Sequence, residues 1–183
     1  MTHSNVMIDL ETLGTAPGSV VLSIGAVAFN EGQDEGLWAT FSSGPINVAM
    51  QRRFYGLSID ESTLAWWLGQ DPAASQVLRA ALEDAATSPT KALGAFRDWF
   101  PVGAAVWGNG ANFDGVLLRA MFTAAALACP WPYYDEQCYR TMKKQFSNVL
   151  APEFQGTKHD ALADALHQTR HLQMIWARIK GAR

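Results

Sequence analysis

A chain of 183 residues with 49% hydrophobic and 17% charged content carries enough apolar material for a substantial core, which excludes a disordered or fibrous protein. No apolar run approaches the roughly 18 residues needed to span a bilayer, and the opening "MTHSNVMIDL" lacks the basic and long apolar regions of a secretory signal. The formal charge of −3 hides an asymmetry, because residues 1–136 hold 6 Lys/Arg against 14 Asp/Glu and residues 137–183 hold 8 against 3.

Residues 4–9 and 19–30 are short, β-branched and apolar, with Gly14, Pro17 and Gly18 between them. That pattern predicts two strands joined by a turn-rich loop. Residues 36–45 alternate well enough for a third strand, and the chain then reads as irregular up to Ile59. "DESTLAWWLGQ" opens with acids and a Ser/Thr pair, a helix start. Asp71-Pro72 restarts a helix to about Asp84, and Ser88-Pro89 starts another that reaches Phe100 and stops at Pro101. Residues 103–110 predict a short strand running into a Gly/Asn loop, followed by a helix from about Asn112 to Ala128. Residues 130–142 fit either a strand or a short helix. Residues 158–180 predict a long amphipathic helix with Leu162, Leu166, Leu172 and Ile175/Trp176 supplying its apolar face.

With no repeat, low-complexity tract or linker, the chain reads as a single domain over residues 1–183, an α/β protein with a central mixed β-sheet flanked by α-helices. Its two cysteines, Cys129 and Cys138, fit no zinc module and suit a reduced, cytoplasmic setting.

The first strand ends in "IDLET", where Asp9 and Glu11 are one residue apart. In a strand these carboxylates share a face. Two like charges so placed destabilise a fold unless a proton or a cation sits between them. Asp114 lies in "WGNGANFDGVLL", at the first turn of a predicted helix, where the helix dipole alone would favour an acid. Asp164 sits among leucines and alanines in the last helix, with His159 five residues before it. An acidic site beside a basic C-terminal segment suits a metal-dependent enzyme acting on a polyanion. A solvated face favoured by the helix dipole would give the same basic segment.

The order Asp-x-Glu on a first strand, Asp at a helix start and His-x4-Asp on a late helix resembles the DEDDh exonucleases. These are the DnaQ-like, RNase T-like 3′–5′ exonucleases of the RNase H-like fold. "MIDLETLGT", "TLAWWL" and "VWGNGANFD" are closest to a branch of small bacterial and phage enzymes grouped with exonuclease VIII and a mycobacterial-type 3′–5′ exoribonuclease. The resemblance implies that Asp9, Glu11, Asp114 and Asp164 hold two divalent cations, Mg²⁺ or Mn²⁺. It makes His159 the general base that takes the proton from the attacking water, a task suited to imidazole. The substrate it implies is the 3′ end of a single-stranded DNA or RNA.

Many relatives have a second Thr after the Glu, where this chain has Leu13. Leu13 is then expected as an apolar surface against the terminal base, with Thr12, Gly14 and Asn112 as the other substrate contacts. Related exonucleases are often dimers, so a homodimer is open, and "WPYY" at 131–134 would serve either an interface or the core.

Three rival readings stand beside this one, the first of them on a second set of residues. His167 and His171, at i and i+4 with Asp164 one turn earlier, have zinc-ligand spacing, but "HQTRH" lacks the Glu of the zinc-protease signature. Asp9 and Glu11 as a glycosidase pair would leave Asp114, His159 and Asp164 unexplained. An RNase H-like module that binds nucleic acid without cutting it is the remaining alternative, although all five residues of the catalytic set are present.

Overall fold

The computed structural model of the protein describes residues 2–181; Met1, Ala182 and Arg183, at the ends of the expected domain, lie outside the described residues. Its strands are β1 (Asn5–Thr12), β2 (Val21–Phe29), β3 (Ala39–Ser42), β4 (Ala105–Gly108) and β5 (Glu136–Cys138). Its α-helices are α1 (Val48–Tyr55), α2 (Glu61–Leu68), α3 (Gln76–Ala81), α4 (Pro89–Trp99), α5 (Asp114–Ala124), α6 (Tyr139–Gln145) and α7 (Ala161–Gly181). The sheet order is β3-β2-β1-β4-β5. β1 pairs antiparallel with β2, and β4 runs parallel to both β1 and β5. The expected central mixed sheet flanked by helices is therefore the observed one.

Strand alternation divides β1 between two cores. Val6, Ile8 and Leu10 join a large cluster with Leu93 and Phe96 of α4 and Leu117, Leu118 and Phe122 of α5. Met7 points the other way and packs with Val27, Phe29, Trp107, Tyr139, Ala165 and Leu172, the face that α7 covers. By the period of two, Asp9 and Glu11 continue the Met7 row. Because β1 and β4 are parallel, their C-terminal ends open on one edge of the sheet, where α/β proteins commonly build sites.

α7 lies closer to the sheet than its leucine pattern predicts. Its buried residues include Ala161, Ala165, Leu172 and Ile175, whereas Leu162 and Leu166 are only partly buried. The reason is a close crossing at Gly25, the residue paired with Asp9. A Cβ at Gly25 would overlap the Ala161 carbonyl and the Leu162 nitrogen. Small side chains on the helix and none on the strand let the start of α7 settle beside Asp9.

Other elements differ from the sequence reading in instructive ways. The stretch up to Ile59 contains α1, whose N-cap Asn47 accepts from the Met50 amide at 2.8 Å and whose C-cap Gly56 is left-handed. Its Gln51 is fully buried and bonded to both polar groups of Val21, so a polar residue supplies the docking that an apolar stripe normally signals. Residues 130–142 hold a strand followed by a helix, β5 then α6, each too short to show a period. The helix expected from 158 begins at Ala161, because His159 takes a left-handed conformation (φ 62°) and Asp160 caps the helix, accepting from the Ala163 amide at 2.9 Å. "WPYY" splits: Trp131 is buried, while Tyr133 and Tyr134 are exposed. Among the described residues no helix is long and apolar enough to cross a membrane.

Candidate active site

Strand β1 and helix α7 bring three carboxylates together. One oxygen from each of Asp9, Glu11 and Asp164 lies within 4.8 Å of the others. Asp114 closes the group from the β4 side. It is almost fully buried, and its two oxygens accept from the backbone N–H of Leu10 at 3.3 Å and of Asn109 at 2.8 Å. Those bonds tie the start of α5 to the ends of β1 and β4, so Asp114 has both a structural and an electrostatic place.

Burial is the main cause of the electrostatic strain. It pushes Asp9 well above the usual carboxylate range, reinforced by Asp114, Glu11 and Asp164 and opposed by the Gln168 amide. Glu11 is raised to about 8 by burial and then by Asp164, Asp160 and Asp114. Asp114 is raised to about 6 by burial, with the Asn109 and Leu10 amides holding it down. Asp164 is raised by burial and partly relieved by the His159 amide, which donates to it at 3.0 Å. Among the described residues none of the four is in an ion pair with Lys or Arg. Converging carboxylates without a basic partner form a hard, all-oxygen donor set, which fits divalent cations of the Mg²⁺ and Mn²⁺ kind.

The sign of the linkage follows. A carboxylate whose folded pKa is raised binds more protons folded than unfolded, so stability is present below its unfolded value and is lost as pH rises through the folded one. For Glu11 that window runs from 4.5 to about 8. Metal-free protein is therefore expected to melt on the order of 5–10 °C lower at about pH 8.5 than at about pH 5, at roughly 2–4 °C per kcal/mol. Excess Mg²⁺ should restore the loss, and Glu11→Gln should flatten the slope. A Tm that rises over this range in EDTA would show that the cluster is not under this strain.

His159 stands beside the acids and not among them. Its ring meets Trp66 edge-to-face at a centroid distance of 5.0 Å and Trp67 at 6.0 Å, both on α2. The left-handed backbone of a non-glycine residue is a strained conformation that concentrates at functional sites. Here it turns the His159 amide to Asp164 and its ring to the tryptophans. α2 is in turn fixed to the end of β1: the Trp67 indole donates to the Thr12 carbonyl at 2.8 Å, and the Asp60 amide donates to the Leu13 carbonyl at 2.7 Å. Together these elements enclose a cleft of about 590 Å³ lined by Asp9, Glu11, Thr12, Trp66, His159 and Asp164, among others.

The expected substrate contacts divide. Thr12 lines the cleft. Leu13 is buried in the large core, away from the cleft wall, because the chain turns at a register shift after Glu11. Gly14 sits against Ser19, where a Cβ would come within 2.5 Å of the hydroxyl oxygen, and its carbonyl accepts from the Thr12 hydroxyl at 2.8 Å. Asn112 is exposed and lines a neighbouring groove. One site residue escapes the sequence reading. Gln168 is buried and donates to Asp9 at 2.6 Å, while its Oε1 has no partner. Its signal in the sequence is the i+4 spacing from the candidate acid Asp164 on the same helix. The zinc alternative fails on geometry: the His171 ring nitrogens are held by the Tyr139 hydroxyl at 2.7 Å and the Val149 carbonyl at 2.8 Å.

Comparison with known proteins gives the chain a context. The family model of the Rv2179c-like 3′-5′ exoribonuclease domain matches residues 4–176. No curated protein matches by sequence. Among solved structures, the nuclease domain of 3′hExo, a DEDDh family member solved with rAMP bound, superposes with a TM-score of 0.61 at 14% identity, over 96% of this chain and 93% of that one. Cell-death related nuclease 4 (CRN-4) gives 0.54 at 12% identity, over 95% of this chain and 64% of that one. At such identities the likeness is one of fold, and the fold is RNase H-like.

Proposed function

The chain belongs to the Rv2179c-like 3′-5′ exoribonuclease domain family, within the DEDDh 3′-5′ exonuclease superfamily, and on that premise we propose that it is a metal-dependent enzyme removing nucleotides from the 3′ end of single-stranded RNA or DNA. The observation that carries this reading is the convergence of Asp9, Glu11 and Asp164 with Asp114 at their side and His159 on the same cleft.

Asp9, Glu11, Asp114 and Asp164 would hold two divalent cations, Mg²⁺ or Mn²⁺. Bound there, such ions would supply hydroxide near neutral pH and offset the charge on the attacking and leaving oxygens of a phosphodiester. The chain's own residues do the rest. Gln168 orients Asp9 through its amide. The Asn109 and Leu10 amides fix Asp114 so that both of its oxygens keep their direction. His159 accepts the proton of the attacking water, with Trp66 and Trp67 holding its ring in place and limiting water around it. The exposed Trp66 adds an aromatic wall on which a terminal base can stack.

Incubation with 3′-labelled 15-mer RNA and DNA single strands, with Mg²⁺ or with EDTA, tests the proposal. Metal-dependent release of mononucleotides is expected, with much slower release from a blunt duplex, where each base-pair step opened costs about 1–2 kcal/mol. Retention of intact strands in Mg²⁺ and Mn²⁺ would instead make the chain a binding module.

A further inference from the structure

The cations of the C-terminal segment have a place that the acid cleft does not explain. Arg140, Lys143, Lys144 and Lys158 are exposed, and among the described residues none of them is in an ion pair. Arg140, Lys143 and Lys144 stand at i, i+3 and i+4 on α6, hence on one face.

That helix begins at a groove of about 540 Å³ lined by Thr15, Gly110, Asn112, Phe113, Arg140 and Thr141, among others. Thr15 and Phe113 also line the acid cleft, so the groove adjoins the cleft. Arg140 donates to the Asn109 carbonyl, while the Asn109 amide holds Asp114. One residue thus links the guanidinium to the carboxylate cluster. Gly110 leaves room for this: a Cβ there would lie 3.2 Å from the guanidinium carbon.

A strand that enters an acidic cleft by its 3′ end needs its upstream phosphates neutralised elsewhere, and they must lie within one continuous path of the cleft. We propose that this groove carries the sugar-phosphate backbone just 5′ of the nucleotide being removed, with Arg140 on its wall and with Lys144 and Lys143, the latter lying over the Tyr139 ring at 5.4 Å, continuing the phosphate-binding face along α6. The inference rests on the exonuclease reading and deepens it. It makes the substrate a single strand several nucleotides long, and it gives the strand a direction across the molecule.

The test is fluorescence anisotropy of a 15-mer single strand with the hydrolysis-deficient Asp9→Asn chain, at a series of salt concentrations in Mg²⁺. Each phosphate contact on a single strand contributes about 0.7 to the slope of log affinity against log salt. Lys143→Gln/Lys144→Gln should lower that slope by about 1.4, and Arg140→Gln by about 0.7. The double variant leaves the Asn109 loop untouched, so it remains informative if Arg140→Gln unfolds the loop. Lys91→Gln/Arg97→Gln on α4 removes the same charge elsewhere and should leave the slope unmoved. In hydrolysis by the otherwise wild-type chain, the advantage of a 15-mer over a dinucleotide in KM should shrink with the α6 variants. An unchanged slope in both α6 variants, or an equal fall in the α4 control, overturns the inference even if the enzyme is active. Salt-sensitive binding through α6 without any hydrolysis in wild type would overturn the exonuclease reading and the 5′ placement that rests on it, leaving α6 as a phosphate-binding face only.

Discussion

Asp9→Asn is expected to abolish nucleotide release, lowering kcat by about three decades or more, while leaving the metal-free protein at least as stable as the wild type. The rate effect follows from the role of the cluster, since the charge stabilisation supplied at such a site is several kcal/mol and each 1.36 kcal/mol is about tenfold. The stability effect has the opposite sign because Asp9 is strained by burial and by its neighbours Asp114, Glu11 and Asp164. An amide of the same shape removes the charge and can still accept from Gln168. Asp114 is different. Its carboxylate satisfies two backbone N–H groups, of Leu10 and Asn109. Asp114→Ala would leave both donors without partners, at roughly 1–3 kcal/mol each, so relief of repulsion does not make that variant more stable. Activity and thermal melts in EDTA on Asp9→Asn and Asp114→Ala measure both effects. Strong destabilisation by Asp9→Asn would make the acids structural and remove the basis for a metal site.

The second large effect belongs to His159. His159→Ala should lower kcat by roughly 10²–10⁴, the range of a general acid–base group, with metal affinity nearly unchanged. Its ring makes no hydrogen bond to a carboxylate and acts on Asp164 only through charge; the bond to Asp164 comes from the backbone amide, which alanine retains. A base also requires that the wild-type kcat rise with pH and that the variant lack this limb. If His159 serves only to pack on Trp66 and Trp67, alanine lowers Tm and leaves kcat per folded molecule near normal. The pH profile separates the two because a packing role does not move it.

The candidate site residues are legible in the sequence because strand and helix periods are local. Asp9 and Glu11 had to share a face once "VMIDLET" was read as a strand, and an acid at a helix start or in a helix of leucines and alanines stands out by composition alone. The missed and shifted elements lack such local signals. α1 docks through Gln51 bonded to Val21 as well as through Val48 and Tyr55, and a polar residue at the centre of its inner face interrupts the apolar stripe. Leu13 reads as an accessible apolar residue beside an acidic pair until the register shift between Glu11 and Thr12 turns the chain away from the cleft.

Most of the elements, the acidic set and the family follow from residue type and short-range spacing, whereas α1 and the β5–α6 pair do not. Which partners those residues meet depends on long-range packing. The close crossing permitted by Gly25 sets Asp164 and Gln168 beside Asp9. The left-handed turn at His159 aims its ring at α2, and the parallel pairing of β1 with β4 brings Asp114 to the same edge. These placements join residues up to 159 positions apart, as with Asp9 and Gln168. Contacts over such separations are fixed by the packing of helices on a sheet, which no local window of sequence contains.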